Sequence, residues 1–244
     1  MSNSLLGKKI VIIGASSGIG LAVAKMVAEL NASVVISSRS QDKLDRIAKS
    51  IEGDVEAIAT NILDENSVNT LFERVGSFDH LVVTAVADEN SLRSSLIDMN
   101  TEIAKRGMEK FWGTFFAARA AVKNITQNGS ITLTSSVSIL KPSQTGGVSV
   151  ISAASGAVAV FGRTLAAELA PIRVNVIAPG VVDTGVWSKQ NDSERAKLVK
   201  WAEESLPVEH IGQAEELAQA ILSLIMNSYI TGVVLPVDGG LTLT

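Results

Sequence analysis

The sequence predicts an α/β fold, a single doubly wound parallel sheet of seven strands with helices on both faces. Three observations predict it. Short, continuous apolar runs recur along the chain, and such runs are typical of strands that are buried on both faces of a parallel sheet. Helical patterns fill the gaps between these runs, as the crossovers of a parallel sheet require. The length of 244 residues, of which 46% are hydrophobic, suits one large domain, residues 1–244, better than two small ones.

Strands and helices alternate along the whole chain. The predicted strands are Ile10–Ile13, Ser33–Ser37, Val55–Ala59, His80–Val83, Ser130–Thr134, Arg173–Ile177 and Val233–Val237. The helices predicted between them are Leu21–Leu30, Gln41–Ser50, Glu65–Val75, Glu102–Lys123, Ile151–Ala170 and Ala214–Met226. The first helix follows a group of glycines, the second carries charges at helical spacing, and the third is amphipathic. The fourth and fifth are long and rich in small residues, and the sixth completes the set.

One segment breaks this alternation. This segment is 185–207, in which residues 187–206 are polar and charged and are flanked by Gly185 and Pro207. A segment of this kind is typical of a mobile helical lid over a site, and equally of an ordinary surface helix, so both interpretations stay open.

Composition excludes several classes of function. The net charge is −4 and the acidic and basic residues are interspersed, whereas a nucleic-acid partner would require a basic patch. The absence of cysteine excludes disulfides and thiolate chemistry. The two histidines, His80 and His210, lie far apart in sequence, so no metal site is expected. The N-terminus lacks a signal peptide, and no run reaches the about 18 apolar residues of a membrane span. A cytoplasmic protein without a membrane partner is therefore expected.

A glycine-rich loop near the N-terminus predicts a dinucleotide site. Residues 9–20 read K-I-V-I-I-G-A-S-S-G-I-G, an apolar strand that leads into glycines and then into a helix. Gly14 permits the tight turn, Gly18 lets the main chain approach a pyrophosphate, and Gly20 lets the helix pack closely on the strand, while N–H groups at the helix start face the phosphates. The alternative is a glycine-rich turn without a ligand. The cofactor-binding residues predicted in this loop are Gly14, Ser16, Ser17, Gly18, Ile19 and Gly20.

The end of the second strand predicts which dinucleotide is bound. It reads V-V-I-S-S-R-S, so Ser37, Ser38 and Arg39 occupy the place where NAD-specific sites put an acidic residue on the ribose. A guanidinium and hydroxyl groups suit a 2′-phosphate, and no carboxylate repels it. The cofactor is therefore predicted to be NADP(H), bound through Ser38 and Arg39. The alternative is that Arg39 only covers the surface.

Four segments carry a resemblance to a known family. They are G-A-S-S-G-I-G at residues 14–20, I-T-L-T-S-S-V-S at 131–138, I-R-V-N-V-I-A-P-G-V-V-D-T at 172–184, and S-Y-I-T-G-V-V-L-P-V-D-G-G at 228–240. Together they resemble the classical short-chain dehydrogenase/reductase family over nearly the whole chain. The resemblance implies a Rossmann-like domain, a nicotinamide cofactor, a small-molecule substrate, and a homo-tetramer or homo-dimer. It also implies further cofactor-binding residues: Asn61, Ile62, Ala85, Pro179, Gly180, Val182 and Thr184.

The chain departs from this family at the catalytic positions. Ser136 matches the family's catalytic serine, but the Asn of the long helix falls on Lys110. The catalytic Tyr falls on Ser152 and the catalytic Lys on Gly156. Residues 84–87 read T-A-V-A in place of the family's N-N-A-G, and the only tyrosine, Tyr229, belongs to the C-terminal motif. The K-F-W-G segment at residues 110–113 resembles a divergent subgroup that lacks the Tyr and Lys and includes fungal alkaloid-pathway enzymes.

The missing residues leave three interpretations open. A positioned proton donor contributes about 10²–10⁴ in rate, and Ser152 is too weak an acid near neutral pH to replace the tyrosine. The catalytic candidates are therefore Ser136 as a hydrogen-bond donor, Lys110 as a proton donor or merely a surface lysine, and Ser152. The first interpretation is an NADP(H)-dependent reductase that acts on an imine, an iminium ion or another activated small molecule. The second is a non-redox step such as a cyclisation or isomerisation, and the third is a non-catalytic dinucleotide-binding protein.

Overall fold

Seven parallel strands form one sheet in the computed structural model, which describes residues 5–85, 89–143, 146–184 and 192–244. The strands of this sheet are β1 (Lys9–Ile13), β2 (Ser33–Ser38), β3 (Val55–Ala59), β4 (Phe78–Val83), β5 (Ile125–Thr134), β6 (Arg173–Pro179) and β9 (Val234–Val237). Their order is β3-β2-β1-β4-β5-β6-β9. The order reverses direction after β1, which is the topology of a doubly wound sheet, and the predicted fold class is confirmed.

Eight helices and a short pair of strands complete the described part of the chain. The helices are α1 (Gly18–Glu29), α2 (Gln41–Ala48), α3 (Glu65–Val75), α4 (Thr101–Gly107), α5 (Glu109–Ala121), α6 (Ser149–Glu168), α7 (Asp192–Ser205) and α8 (Ala214–Met226). The short strands β7 (Val182–Asp183) and β8 (Gly212–Gln213) pair with each other. Single 3₁₀ turns lie at Glu89–Leu92, Val137–Ile139 and Leu241–Leu243.

Hydrophobic cores cover both faces of the sheet. Side chains alternate along a strand, so Ile10 and Ile12 of β1 face one side and Val11 and Ile13 face the other. The first pair belongs to a core with α1 and α8, and the second pair to a core with α3, α5 and α6. All four side chains are at most 1% exposed. Each buried side chain of this size contributes about 1.5–3 kcal/mol relative to exposure, so the uninterrupted apolar run stabilises both layers.

The predicted helix Glu102–Lys123 is wrong as one continuous element, because the structure divides it into α4 and α5. The break follows Gly107, where α4 crosses the start of α6. A Cβ added at Gly107 would lie 2.7 Å from the Val150 Cγ1 atom, so this close approach requires glycine. Met108 then ends α4 and begins α5 with a backbone conformation that is not helical. A sequence pattern of small residues carries no sign of such a tertiary contact.

The segment predicted as a lid is partly described. Residues 185–191 lie outside the described residues, and 192–205 form α7. The flanking strands β7 and β8 pair, and Arg195 of α7 makes an ion pair of 2.5 Å with Asp183 of β7. The helical part of the prediction agrees with this, while the lid stays a prediction.

One of the described helices, α6, has the length and the mean hydropathy of a membrane span. Core helices of globular proteins share this property, and α6 packs on β6 and α5.

Candidate cofactor and active site

A cavity of about 850 Å³ lies at the carboxyl ends of the strands. This is the usual ligand position of an open α/β sheet. The cavity brings together every predicted cofactor-binding residue, from five separate regions of the sequence: Gly14, Ser16, Ser17, Gly18, Ile19, Gly20, Ser38, Arg39, Asn61, Ile62, Ala85, Pro179, Gly180, Val182 and Thr184. The predicted catalytic residues Lys110 and Ser136 line it as well.

At Gly14 and Gly20 the glycine loop lies too close to its neighbours, including the residues after β4, to accommodate a Cβ atom. Gly14 has φ +105°, and a Cβ there would lie 2.5 Å from the Ala85 nitrogen. A Cβ at Gly20 would lie 2.5 Å from both the Gly14 oxygen and the Thr84 Oγ1 atom. Ser17, the N-cap of α1, makes no side-chain capping hydrogen bond in the described structure. The first N–H groups of α1 therefore face the cavity, where they suit the negative charge of a pyrophosphate.

Two cations line the cavity where β2 ends. Arg39 follows β2, and Lys43 lies in the first turn of α2, whose N-cap Ser40 accepts a hydrogen bond from the Lys43 N–H. Both side chains are exposed. Thr60 also lines this end, and its buried Oγ1 has no hydrogen-bond partner in the described structure. A buried hydroxyl without a partner and two cations fit the ribose phosphate of NADP(H). Sequence reasoning missed Lys43 and Thr60, although a lysine four residues after Arg39 on a helix start was a usable signal.

Ser136 lies at the carboxyl end of β5, where it begins a 3₁₀ turn. Its Oγ accepts a hydrogen bond of 3.2 Å from the Ser138 N–H. This contact uses one lone pair of the hydroxyl oxygen. A serine hydroxyl is one donor and two acceptors, so its proton is left to donate to another acceptor. Thr134, two residues earlier, also lines the cavity, and its buried Oγ1 has no partner in the described structure.

Lys110 connects three elements beside this serine. It lies on α5 and is 7% exposed. Its Nζ donates to the Ser135 oxygen at 3.0 Å and to the Ser155 Oγ at 3.2 Å. The Ser135 hydroxyl in turn donates to the Ser155 oxygen at 2.8 Å. The alternative of a surface lysine is wrong, because these bonds hold the ammonium between α5, β5 and α6.

The structure does not bring the third catalytic candidate to the cavity. Ser152 of α6 is half-buried and is not among the described residues that line the cavity. A serine is too short to occupy the space that a tyrosine would fill from this position. Gly156 leaves open space, since a Cβ there would meet no atom within 4 Å. Tyr229 is 98% exposed and lies in the turn before β9.

Neither histidine lines the cavity. Burial lowers the pKa of His80 to about 4, although the carboxylate of Asp79 opposes the shift. A hydrogen bond to Glu216 raises the pKa of the exposed His210. Within the described ranges, no group of three or more His, Cys, Asp or Glu side chains has the arrangement of a metal site.

Comparison with protein families and curated sequences gives long matches. A family model described as enoyl-(acyl carrier protein) reductase matches residues 14–242. The 3-oxoacyl-[acyl-carrier-protein] reductase of Bos taurus is 34% identical over 248 aligned positions, which cover 98% of this chain and 100% of that protein.

Two solved structures are similar over almost their whole length. A small-chain dehydrogenase crystallised in complex with NADPH is 34% identical, with a TM-score of 0.80 and coverage of 97% of this chain and 99% of that one. The MalC reductase/Diels-Alderase of Malbranchea aurantiaca is 28% identical, with a TM-score of 0.88 and coverage of 98% and 97%.

Proposed function

The chain belongs to the short-chain dehydrogenase/reductase family, and from this premise we propose that it is a reductase with a non-standard active site. As a member of the family it is an oxidoreductase, and its cofactor is NADP(H). The proposed substrate is an imine, an iminium ion or another activated small molecule. One observation carries the proposal: Ser136 and Lys110 line the cavity, while the two α6 positions to which the family resemblance assigns the Tyr and Lys are Ser152 and Gly156.

The residues present fit the cofactor. The loop from Gly14 to Gly20 would hold the pyrophosphate, Arg39 and Lys43 the 2′-phosphate, and the segment from Pro179 to Thr184 the nicotinamide end. When bound, the cofactor supplies the hydride. The protein then has to place the substrate against it, exclude water and supply any proton that the reaction requires.

The proton requirement distinguishes substrates. A ketone develops negative charge on oxygen during reduction and needs a proton donor. An iminium ion already carries its proton and becomes a neutral amine directly. Ser136 can donate a hydrogen bond to the substrate, but its hydroxyl is not acidic enough to supply a proton near neutral pH. A site that has this serine and lacks the tyrosine therefore suits an iminium ion better than a ketone.

Lys110 is the proposed second participant. Its ammonium lies one residue from Ser136, since it donates to the Ser135 carbonyl. In this place it supports the residue that follows β5 and directly precedes Ser136. A direct proton transfer from Lys110 would instead make the protein competent on carbonyl compounds, so a Lys110→Ala variant tested on ketones separates the two roles.

A non-redox step is the second candidate function. The similar protein from Malbranchea aurantiaca is named for two activities, reductase and Diels-Alderase. A cavity of about 850 Å³ that lacks the usual proton donor could hold a reactive substrate in a cyclising conformation. Such a reaction would need the shape of the site and no consumption of cofactor.

Steady-state oxidation of NADPH tests the proposal. Cyclic imines and simple ketones are compared across a pH series at saturating NADPH. The expected result is turnover of the imines that falls as the pH rises past the pKa of each imine, with little turnover of ketones. Activity confined to neutral carbonyl compounds would overturn the proposal. Product formed without loss of NADPH would favour the second candidate function.

We also propose that the protein forms a homo-dimer or homo-tetramer. Trp112 of α5 and Val160 of α6 are 49% and 66% exposed, although these helices pack side by side. Large apolar side chains exposed on two adjacent helices support burial against a second copy. Light scattering on the eluting peak of a size-exclusion column measures the assembly directly, and a monomeric mass would exclude it.

A further inference from the structure

We propose that Lys141 is a positioning residue for Ser136, and that it acts by joining the turn after Ser136 to the C-terminal residues 238–244. The catalytic part of this inference rests on the role proposed for Ser136. The structural part stands on hydrogen bonds and packing alone. Lys141 does not itself line the described cavity.

Ser136 and Lys141 belong to one hydrogen-bonded turn. The Ser138 N–H donates to the Ser136 Oγ at 3.2 Å, and the Ile139 N–H donates to the Ser136 oxygen at 3.3 Å. The Lys141 N–H donates to the Val137 oxygen at 3.0 Å. Because these bonds overlap along the chain, a displacement of Lys141 is transmitted to the Ser136 side chain.

The side chain of Lys141 fixes the other end of this turn. Its Nζ donates to the Leu241 oxygen at 3.0 Å and to the Thr244 Oγ1 at 3.2 Å, and it also contacts the Thr244 main-chain oxygen. These acceptors lie at the 3₁₀ turn Leu241–Leu243 and its C-cap Thr244, whose Oγ1 also donates to the Leu241 oxygen at 3.2 Å. A cation with several N–H donors satisfies such carbonyls, which is the usual role of lysine at a helix end.

The C-terminal segment is a firm support for this contact. Both carboxylate oxygens of Asp238 accept main-chain hydrogen bonds, from Gly240 at 3.1 Å and from Thr242 at 2.9 Å. A Cβ added at Gly180, which lines the cavity, would lie 2.6 Å from the Asp238 Cα. A Cβ added at Gly239 would lie 2.7 Å from a methyl carbon of Val208. Lys141 is thus attached to a segment that packs against the cavity wall without spare space.

The length and donors of lysine are both needed. Lys141 is half-buried, and Pro142 after it prevents the turn from continuing as a helix. Methionine has nearly the same length and no donor, while arginine keeps the positive charge and offers several N–H groups. Lys141→Met and Lys141→Arg therefore separate loss of the contact from loss of side-chain volume. Lys25→Met, at an exposed position on α1, is the matched control.

The experiment has two independent measurements. The first is steady-state kinetics with the imine that the wild-type protein turns over. Lys141→Met is expected to lower kcat by about tenfold or more, with KM and the NADPH dissociation constant changed by less than about twofold, because misplacement of a reacting group affects the chemical step. Lys141→Arg is expected to recover most of the loss, and Lys25→Met to behave as wild type.

The second measurement does not depend on activity. The Ser138 N–H bonds to the Ser136 Oγ, so its hydrogen-exchange rate reports on the placement of Ser136. Exchange there is expected to accelerate in Lys141→Met and to return in Lys141→Arg. Unchanged exchange in Lys141→Met would overturn the proposed connection, and faster exchange with a wild-type kcat would overturn its catalytic importance. If the wild-type protein consumes no NADPH with any acceptor, the proposed function fails, and the exchange measurement still decides whether Lys141 positions Ser136.

Discussion

The Lys110 Nζ lies 3.0 Å from the Ser135 main-chain oxygen, so a buried ammonium supports the residue that directly precedes Ser136. Lys110→Met keeps the side-chain length and removes the donors. A buried polar group that loses its partner costs about 1–3 kcal/mol, and the free energy of unfolding is expected to fall by that amount. Urea unfolding measures it. Lys105→Met, exposed on α4, is the control and should leave the unfolding midpoint unchanged. An unchanged midpoint in Lys110→Met would contradict the buried role.

Arg39 and Lys43 should determine the preference for NADP(H) over NAD(H). A charge-assisted contact to the 2′-phosphate contributes about 1.5–3 kcal/mol, so Arg39→Ala should remove most of the preference. Lys43→Ala should remove a smaller part, since lysine makes a single-point contact. Fluorescence titration with NADPH and NADH gives the two dissociation constants for each variant. Lys49→Ala, exposed where α2 ends, is the control. Equal constants for both cofactors in the parent protein would refute the assignment.

Two glycine-to-alanine variants are expected to differ sharply in NADPH binding and in stability. A Cβ at Gly20 would lie 2.5 Å from the Gly14 oxygen, whereas a Cβ at Gly156 would meet no atom within 4 Å. Gly20→Ala is therefore expected to abolish NADPH binding or folding. Gly156→Ala is expected to bind normally and to be more stable by about 0.5–1 kcal/mol, because alanine is favoured over glycine inside a helix. Circular dichroism and NADPH titration test both variants. Normal binding by Gly20→Ala would show that the loop moves.

The open space beside Gly156 permits an attempt to restore ordinary chemistry. In the double variant Ser152→Tyr with Gly156→Lys, a proton donor and a cation return to the α6 positions of the family. Reduction of simple ketones is expected to rise by about tenfold or more, because the developing oxyanion now has a donor. Ser152→Phe with Gly156→Lys adds similar bulk without the hydroxyl and should show no such gain. An equal gain in both would mean that the hydroxyl is not the cause.

Stability should depend on pH through His80. Burial lowers the pKa of His80 from 6.5 to about 4, so between these values the unfolded chain binds a proton more readily than the folded protein. The contribution of the neutral imidazole is complete above the unfolded pKa and is lost as the pH falls towards the folded pKa, by about 3 kcal/mol in all. Urea unfolding across this range should show the loss in wild type and a weaker one in His80→Gln. A wild-type slope in His80→Gln would contradict the assignment.

Most of the fold could be predicted because the sequence pattern of each strand lies within the strand itself. Each predicted strand overlaps an observed strand, since residues buried on two faces form uninterrupted apolar runs. The differences arise where distant contacts decide the structure. The first half of β5 contains the exposed Gln127 and Asn128 and lacks an apolar run, yet it joins the sheet beside Phe78. The break at Gly107 depends on Val150, which lies 43 residues later in the chain.

In the candidate site too, residues whose role depends on local sequence could be predicted, and residues brought together by distant contacts could not. The glycine loop was predictable because its residues act through their own backbone. Thr60 was missed because only the pairing of β3 with β2 brings it beside Ser38, whereas Lys43 carried a local signal in its position at the start of α2. Ser152 was chosen by family position alone, and position does not supply the reach of a longer side chain. The support of Ser135 by Lys110 depends on the crossing of α5 and α6, which no pattern in either helix reveals.

The contact between Lys141 and the C-terminal segment also concerns the order in which the protein is made. Ribosomes synthesise the glycine loop first and Asp238 to Leu241 after every other part of the site. A nascent chain that has emerged as far as α8 already contains Arg39, Lys110 and Ser136, but it lacks β9 and the support for Lys141. Domains begin to fold during translation, so this chain passes through an interval with a cofactor loop and an unfinished catalytic turn. Binding of NADP(H) then stabilises the finished molecule and cannot preserve a truncated one to the same degree.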